Sequence, residues 1–297
     1  MDSSFYKYAD LNFQDFWNEA AQKKEAIYGK KTTYHNFIKI DVNKSASLLD
    51  VNENSTFQLK MREYTFENFE TLKNLMHSYH LSYNTPISVC AQMVPTQVLE
   101  QMISTRFQLQ VNLQSVSKQI IEKNSSAYDE PVQKRLATIE AATRLSIPTA
   151  VKLQVGLGEE KNDVLNTLSY IKEISDHYKM IQSVIIGAEN TQVKLEMLLW
   201  TLAVSRLILH DKVHITGIPT DIADIDILSR TGVDDINNIP NPQAHNLIYR
   251  DLFFNSPTDS PAATPEEHKK TNVDIDLTKS NSLNSGFQRS YKKANKG

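Results

Sequence analysis

Residues 155–160, Val-Gly-Leu-Gly-Glu-Glu, close an apolar run and precede a helical pattern. A loop at a helix start leaves backbone N–H groups without partners, and these can cradle a phosphate or carboxylate. The same Gly-x-Gly also suits a plain tight turn. Gly156, Gly158 and Glu159 are therefore candidates for ligand or cofactor binding and for structural roles alike. Just upstream, Lys152 and Gln154 share one parity of a strand and so project to one face, inward or outward. An inward Lys152 needs a partner, and Glu159 or Asp235 would supply it. Lys152, Glu159 and Asp235 are also the set that acid/base or electrostatic catalysis would use. A Schiff-base lysine needs a lowered pKa, which nothing in the sequence supplies.

Other reactive residue types are sparse. His77 and His80 lie three apart on a helical pattern, a spacing that allows a shared metal, but no third ligand accompanies them. His210 and His214 flank the start of a strand, with His210 expected at the carbonyls of a helix end. The single cysteine, Cys90, sits in a strand pattern and reads as a buried, inert thiol with no cationic neighbour in sequence. One cysteine excludes an internal disulfide and any zinc or iron–sulfur site built from several of this chain's thiolates. No metal site is expected. No Walker loop and no ordered Ser/His/Asp set is present.

The elements that must carry these residues alternate in type. Phe13, Phe16, Trp17, Ala20 and Ile27 recur at helical spacing, with Gly29 placed to end that helix. Strand patterns follow at 36–42, 56–61, 86–93, 106–113, 147–155, 181–188, 213–218 and 233–239. Helical patterns at 67–78, 96–103, 131–145, 163–177, 192–210 and 221–229 separate most of them. Such alternation predicts a parallel sheet, and eight strands predict closure into an α/β barrel of the TIM type. About a dozen residues join the first two strands, near the minimum for a crossover, so the first βα unit is expected to be shortened. The barrel is expected over 29–254, after a helical extension at 1–28. From 255 to 297 the chain is rich in Ser, Thr, Asn, Pro and Lys, and it reads as a disordered tail.

Composition narrows the function classes. The chain has 297 residues, 40% hydrophobic, and a formal net charge of −3. The mixed charge favours neither nucleic acid nor an anionic membrane as partner. The N-terminus has no signal-peptide pattern and no run is long enough to span a bilayer, so a cytoplasmic location is expected.

Residues 147–186 resemble a segment of the deazaflavin (FO) synthases, a branch of the radical S-adenosylmethionine enzymes. There an Ile-Pro pair opens a strand that ends in Gly-x-Gly-Glu, and the following helix leads to a strand starting Ile-Gln. The matching positions are Ile147, Pro148, Gly156, Gly158, Glu159, Tyr178, Ile181 and Gln182. Trp200, Ala203, Arg206, Leu207 and Leu209 continue the pattern, and Gly232 and Asp235 match a later turn. The resemblance covers roughly residues 28–239 and is strongest from 135 onward. It implies a radical-SAM-type barrel with an abbreviated first unit.

The departures fall on the chemistry. The family holds an iron–sulfur cluster by three cysteines in the loop after its first strand; here residues 41–55 contain no Cys and no His, only Asp41, Asp50 and Glu53 as hard ligands. Lys152 stands for a family glycine, Gln154 for an apolar residue, and Gly187 for the glutamine of Gln-Asn-Phe. Residues 91–93 replace an Asn-Pro-Gly turn, and Ile236, Asn237 and Asn238 replace Trp-Gly-Gly. The expectation is a barrel that lacks the cluster, needs no cofactor and binds no S-adenosylmethionine. It would act by binding a small ligand or a protein partner. The alternatives are a non-radical enzyme at the barrel mouth, or one subunit of a split system marked by an exposed apolar patch.

Overall fold

A computed structural model describes residues 3–41, 55–60, 64–65, 68–74, 87–103, 107–124, 126, 129–188, 195–237, 239 and 242–249. The expectations for Asp50, Glu53, His77, His80 and the tail fall outside these residues.

Nine parallel strands form one sheet. They are β1 (Thr33–Asp41), β2 (Ser55–Lys60), β3 (Ile87–Ala91), β4 (Gln108–Gln114), β5 (Thr149–Val155), β6 (Ile181–Ala188), β7 (His214–Gly217), β8 (Asp235–Asn237) and β9 (Ile248–Tyr249). β1 pairs with β8 on one side and with β2 on the other, which closes an eight-stranded barrel. The ninth strand pairs with Thr33 and Tyr34, extending the β1 edge that β2 occupies from Asn36 onward. The sequence pattern predicts eight. A two-residue strand carries no period from which it could have been read. The connection between β1 and β2, residues 42–54, lies outside the described residues.

The helices are α1 (Phe13–Tyr28), a described stretch over 68–74 (α2), α3 (Thr96–Met102), α4 (Lys118–Asn124), α5 (Val132–Arg144), α6 (Lys161–Tyr178), α7 (Leu195–Ile208) and α8 (Ile225–Ser229). Strand side chains alternate. One parity (Leu59, Val89, Leu109, Val151, Val184 and Ile215) is apolar and almost fully buried in the core under these helices. This packing accounts for most of the barrel's hydrophobic stabilisation, about 1.5–3 kcal/mol per fully buried aliphatic side chain.

The N-terminal extension is part of that outer layer. α1 packs on α7, with the Phe16 and Trp200 rings edge to face at 6.4 Å. Close approach needs Gly232: a Cβ there would lie 2.5 Å from Arg206 Cβ and 3.2 Å from Ala20 Cβ. Lys23 of α1 donates to the Leu207 and Leu209 carbonyls at the α7 C-terminus, the role expected of His210. His210 Nδ1 instead accepts from the Lys212 N–H at 3.0 Å, tightening the turn into β7.

Candidate functional site: the barrel interior

The second strand parity faces inward, and cross-barrel hydrogen bonds demonstrate it. Gln58 of β2 donates to Gln110 of β4 at 2.9 Å, across β3. Gln108 of β4 donates to Gln182 of β6 at 2.9 Å, across β5, where a register shift at Thr149/Ala150 takes Gln182 off the parity of Val184. Strands two apart in a barrel meet through its interior, because the outer side is occupied by helices. TIM-type interiors are usually filled by branched apolar side chains. This one is lined largely by amides, hydroxyls, one histidine and lysines.

At the level where β1 and β8 begin, His35 Nδ1 lies 2.6 Å from Asp235 Oδ2. Thr33 and Thr216 hydroxyls donate to the same carboxylate at 2.8 and 3.0 Å. The His35 ring stands edge to face against Phe37 at 4.7 Å. The His35–Asp235 approach is a close side-chain contact that only barrel closure creates. His35 was not among the residues the sequence singled out.

Toward the C-terminal ends of the strands, register places Lys60 opposite Cys90, Cys90 opposite Gln110, Lys39 opposite Gln58, and Lys152 opposite Asn112. All belong to the inward parity. Burial pushes the Cys90 thiol up to about 11, while Lys152, Lys60 and Lys39 pull it the other way. Cys90 is partly rather than fully buried, and the absence of cationic neighbours was a property of the sequence alone: three lysines from three other strands act on its thiol. The Tyr64 hydroxyl donates to the Cys90 carbonyl.

The structure separates the other sequence candidates. Glu159 turns back on its own loop, accepting from the Gly156 N–H and the Leu157 N–H at 2.7 Å each. Two N–H groups that could have faced an anion are thereby satisfied within the loop. Gly156 and Gly158 have φ of 92° and 91°, conformations that favour glycine. Asn124 Nδ2 donates to the Leu157 carbonyl at 2.8 Å, so α4 anchors the same loop. α4 escaped the sequence analysis because its seven residues bury only Ile120 and Ile121. Gln154 accepts from Gln114 Nε2 at 3.0 Å. Gln114 sits at a bulge with φ of 66°, where Arg135 Nη1 also donates to it at 2.5 Å.

Several inward polar atoms have no hydrogen-bond partner within the protein. Among the described residues they include His35 Nε2, Ser88 Oγ, Gln108 Oε1, Asn112 Oδ1 and Asn237 Oδ1. His35, Ser88, Gln108 and Asn237 are at most 4% exposed. Buried polar groups are normally satisfied by protein, water or a ligand, so a cluster of this kind marks a space built for polar guests. Among the described residues no group of three or more His, Cys, Asp or Glu is placed to hold a metal, and no helix is long and apolar enough to cross a membrane.

Comparison with known proteins agrees with this architecture. No family model matches the chain. It is 31% identical over 131 residues to the 7,8-didemethyl-8-hydroxy-5-deazariboflavin synthase of Archaeoglobus fulgidus, covering 41% of this chain and 40% of that protein. It is 27% identical over 160 residues to the synthase of the same name from Methanobrevibacter smithii, covering 51% of this chain and 45% of that protein. The resemblance to the FO synthases holds. The matches span less than half the length of either curated relative. Among solved structures, the FeFe-hydrogenase maturase HydG from Carboxydothermus hydrogenoformans superposes with a TM-score of 0.66 at 13% identity, covering 85% of this chain and 70% of HydG. Methylornithine synthase (PylB) gives 0.62 at 11% identity, covering 81% of this chain and 83% of PylB. The FO-synthase-like chain therefore has a radical-SAM-type α/β barrel.

The positions that carry the resemblance have physical roles. Arg206 is fully buried and donates to the Gly232 carbonyl at 2.9 Å, to the Val213 carbonyl at 3.1 Å and to Asp234. Asp234 also holds His214 Nδ1 at 2.5 Å and the Ile215 N–H at 2.8 Å. Gln182 and Asp235 belong to the barrel interior.

Proposed function

We propose that this chain is a cluster-free relative of the FO synthases that works by binding a small ligand inside the barrel. A family-type cluster needs three thiolates, and the chain has one cysteine. That thiol stands on β3 and its protonated form is favoured, whereas a cluster ligand must be a thiolate. The donor set does not fit the cluster, so no step of radical chemistry is assigned. The observation that carries the binding reading is the polar interior with its buried, unpartnered atoms on β1, β3, β4 and β8.

An acid/base enzyme draws less support. Lys152 is inward, but Glu159 is committed to its loop and Asp235 to His35, Thr33 and Thr216. A split system also draws little. Among the described residues the exposed large apolar side chains are Ile103 and Ile222, two side chains and not a large patch.

Two measurements test the proposal. Anaerobic reconstitution with iron and sulfide is expected to leave no cluster and no reductive cleavage of S-adenosylmethionine; either would overturn it. Calorimetric titration with S-adenosylmethionine, tyrosine and the ribityl-aminouracil expected of the resembled family asks whether any family substrate still enters the barrel.

A further inference from the structure

The interior described above has a charged end. Lys39, Lys60 and Lys152 come from β1, β2 and β5, and Cys90 of β3 lies among them. β1 and β5 are each two strands away from β3, so the lysines meet at the barrel mouth rather than along one ladder. Lys39 and Lys60 are exposed and Lys152 is half-buried. Register also brings the Asp41 backbone to Lys60. A concave low-dielectric mouth with a surplus of one sign of charge focuses its field on an opposite charge.

A second, independent observation lies below that mouth. Ser88, on the same face two residues before Cys90, is fully buried and its Oγ has no partner. Asn112, in register with Lys152, presents an unpartnered Oδ1. Lysines and neutral hydrogen-bonding groups therefore share the inward face at this end of the barrel.

Resting on the interior-binding reading, we infer that the mouth is an anion site. A small organic anion seats its phosphate or carboxylate among Lys39, Lys60 and Lys152, and sets a neutral hydrogen-bonding body against Ser88 and Asn112. Lysine serves either anion as a point charge, and the test separates the two.

Cys90 is the only cysteine in the chain, so its alkylation reports on this mouth alone. The rate with iodoacetamide is measured at pH 8.5 and constant ionic strength with pyrophosphate, citrate, glycerol or potassium chloride. An anion that neutralises the lysines and covers the thiol slows alkylation by roughly threefold to tenfold. Glycerol and chloride are expected to have no effect. Protection by pyrophosphate alone assigns a phosphate, and by citrate alone a carboxylate. The paired substitution K60Q/K152Q is expected to abolish protection and Lys152→Arg to keep it, with circular dichroism confirming folding. Calorimetric titration with pyrophosphate and citrate gives a parallel readout. No protection and no heat from either anion, or protection unchanged in the folded K60Q/K152Q protein, overturns the anion site. Binding of a neutral ligand would then leave the interior-binding reading standing. Cleavage of S-adenosylmethionine would sink that reading without touching the alkylation result.

Discussion

Gln58 and Gln110 join across the barrel at 2.9 Å although β3 runs between their strands. Both amides are nearly buried, at 8% and 3% exposure, so each is the other's replacement for water. A barrel that keeps such pairs in its centre holds a definite polar geometry instead of an oily core.

Replacing Gln58 with Leu leaves the Gln110 amide buried with one partner fewer. The expected cost is about 1–3 kcal/mol. The double change Q58L/Q110L is expected to recover part of that loss, because no orphan amide remains. Urea unfolding of the four proteins in the cycle measures the coupling; strict additivity would show that the bond contributes nothing specific.

Cys90 sets a pH dependence. Its thiol is raised from 9.0 to about 11 by burial, against the pull of Lys152, Lys60 and Lys39. The folded state then binds more protons than the unfolded state between those values. The contribution is complete below the unfolded pKa and is lost as pH rises through the folded one. Across that window wild type is expected to lose on the order of 1–3 kcal/mol more than Cys90→Ala. Equal pH profiles for the two proteins would place the thiol in water.

Asp234 is the hub of the buried pairing with Arg206 and His214. Asp234→Ala strands the Arg206 charge in a fully buried site, and a loss of roughly 3–5 kcal/mol is expected in denaturant titration. A loss under about 1 kcal/mol would mean that the Gly232 and Val213 carbonyls suffice for the guanidinium.

Gly232→Ala places a methyl 2.5 Å from Arg206 Cβ. Overpacking of this kind costs about 1–3 kcal/mol, and the thermal midpoint is expected to fall accordingly. An unchanged midpoint would show that α1 and α7 can part without penalty.

Much of this organisation was legible in the residues. The alternation of strand and helix patterns specified a parallel α/β barrel, because period 2 and period 3.6 are local properties of short segments. In β5, Val151, Leu153 and Val155 alternate with Lys152 and Gln154, so the two faces were readable. Which face turned inward was not, since in a barrel both sides of a strand are covered and only closure decides which side meets the helices. β9 was missed for want of length, and α4 because it buries only Ile120 and Ile121. Glu159 was recognised as a site residue, yet its bonds to Gly156 and Leu157 depend on a loop conformation that composition does not specify. The single cysteine and the cysteine-free stretch at 41–55 were legible from the sequence by itself, because counting donors needs no coordinates. The lysine mouth, the His35–Asp235 contact and the unpartnered polar atoms belong to tertiary structure alone. Their members lie on strands far apart in the chain, and only ring closure of the sheet brings those strands face to face.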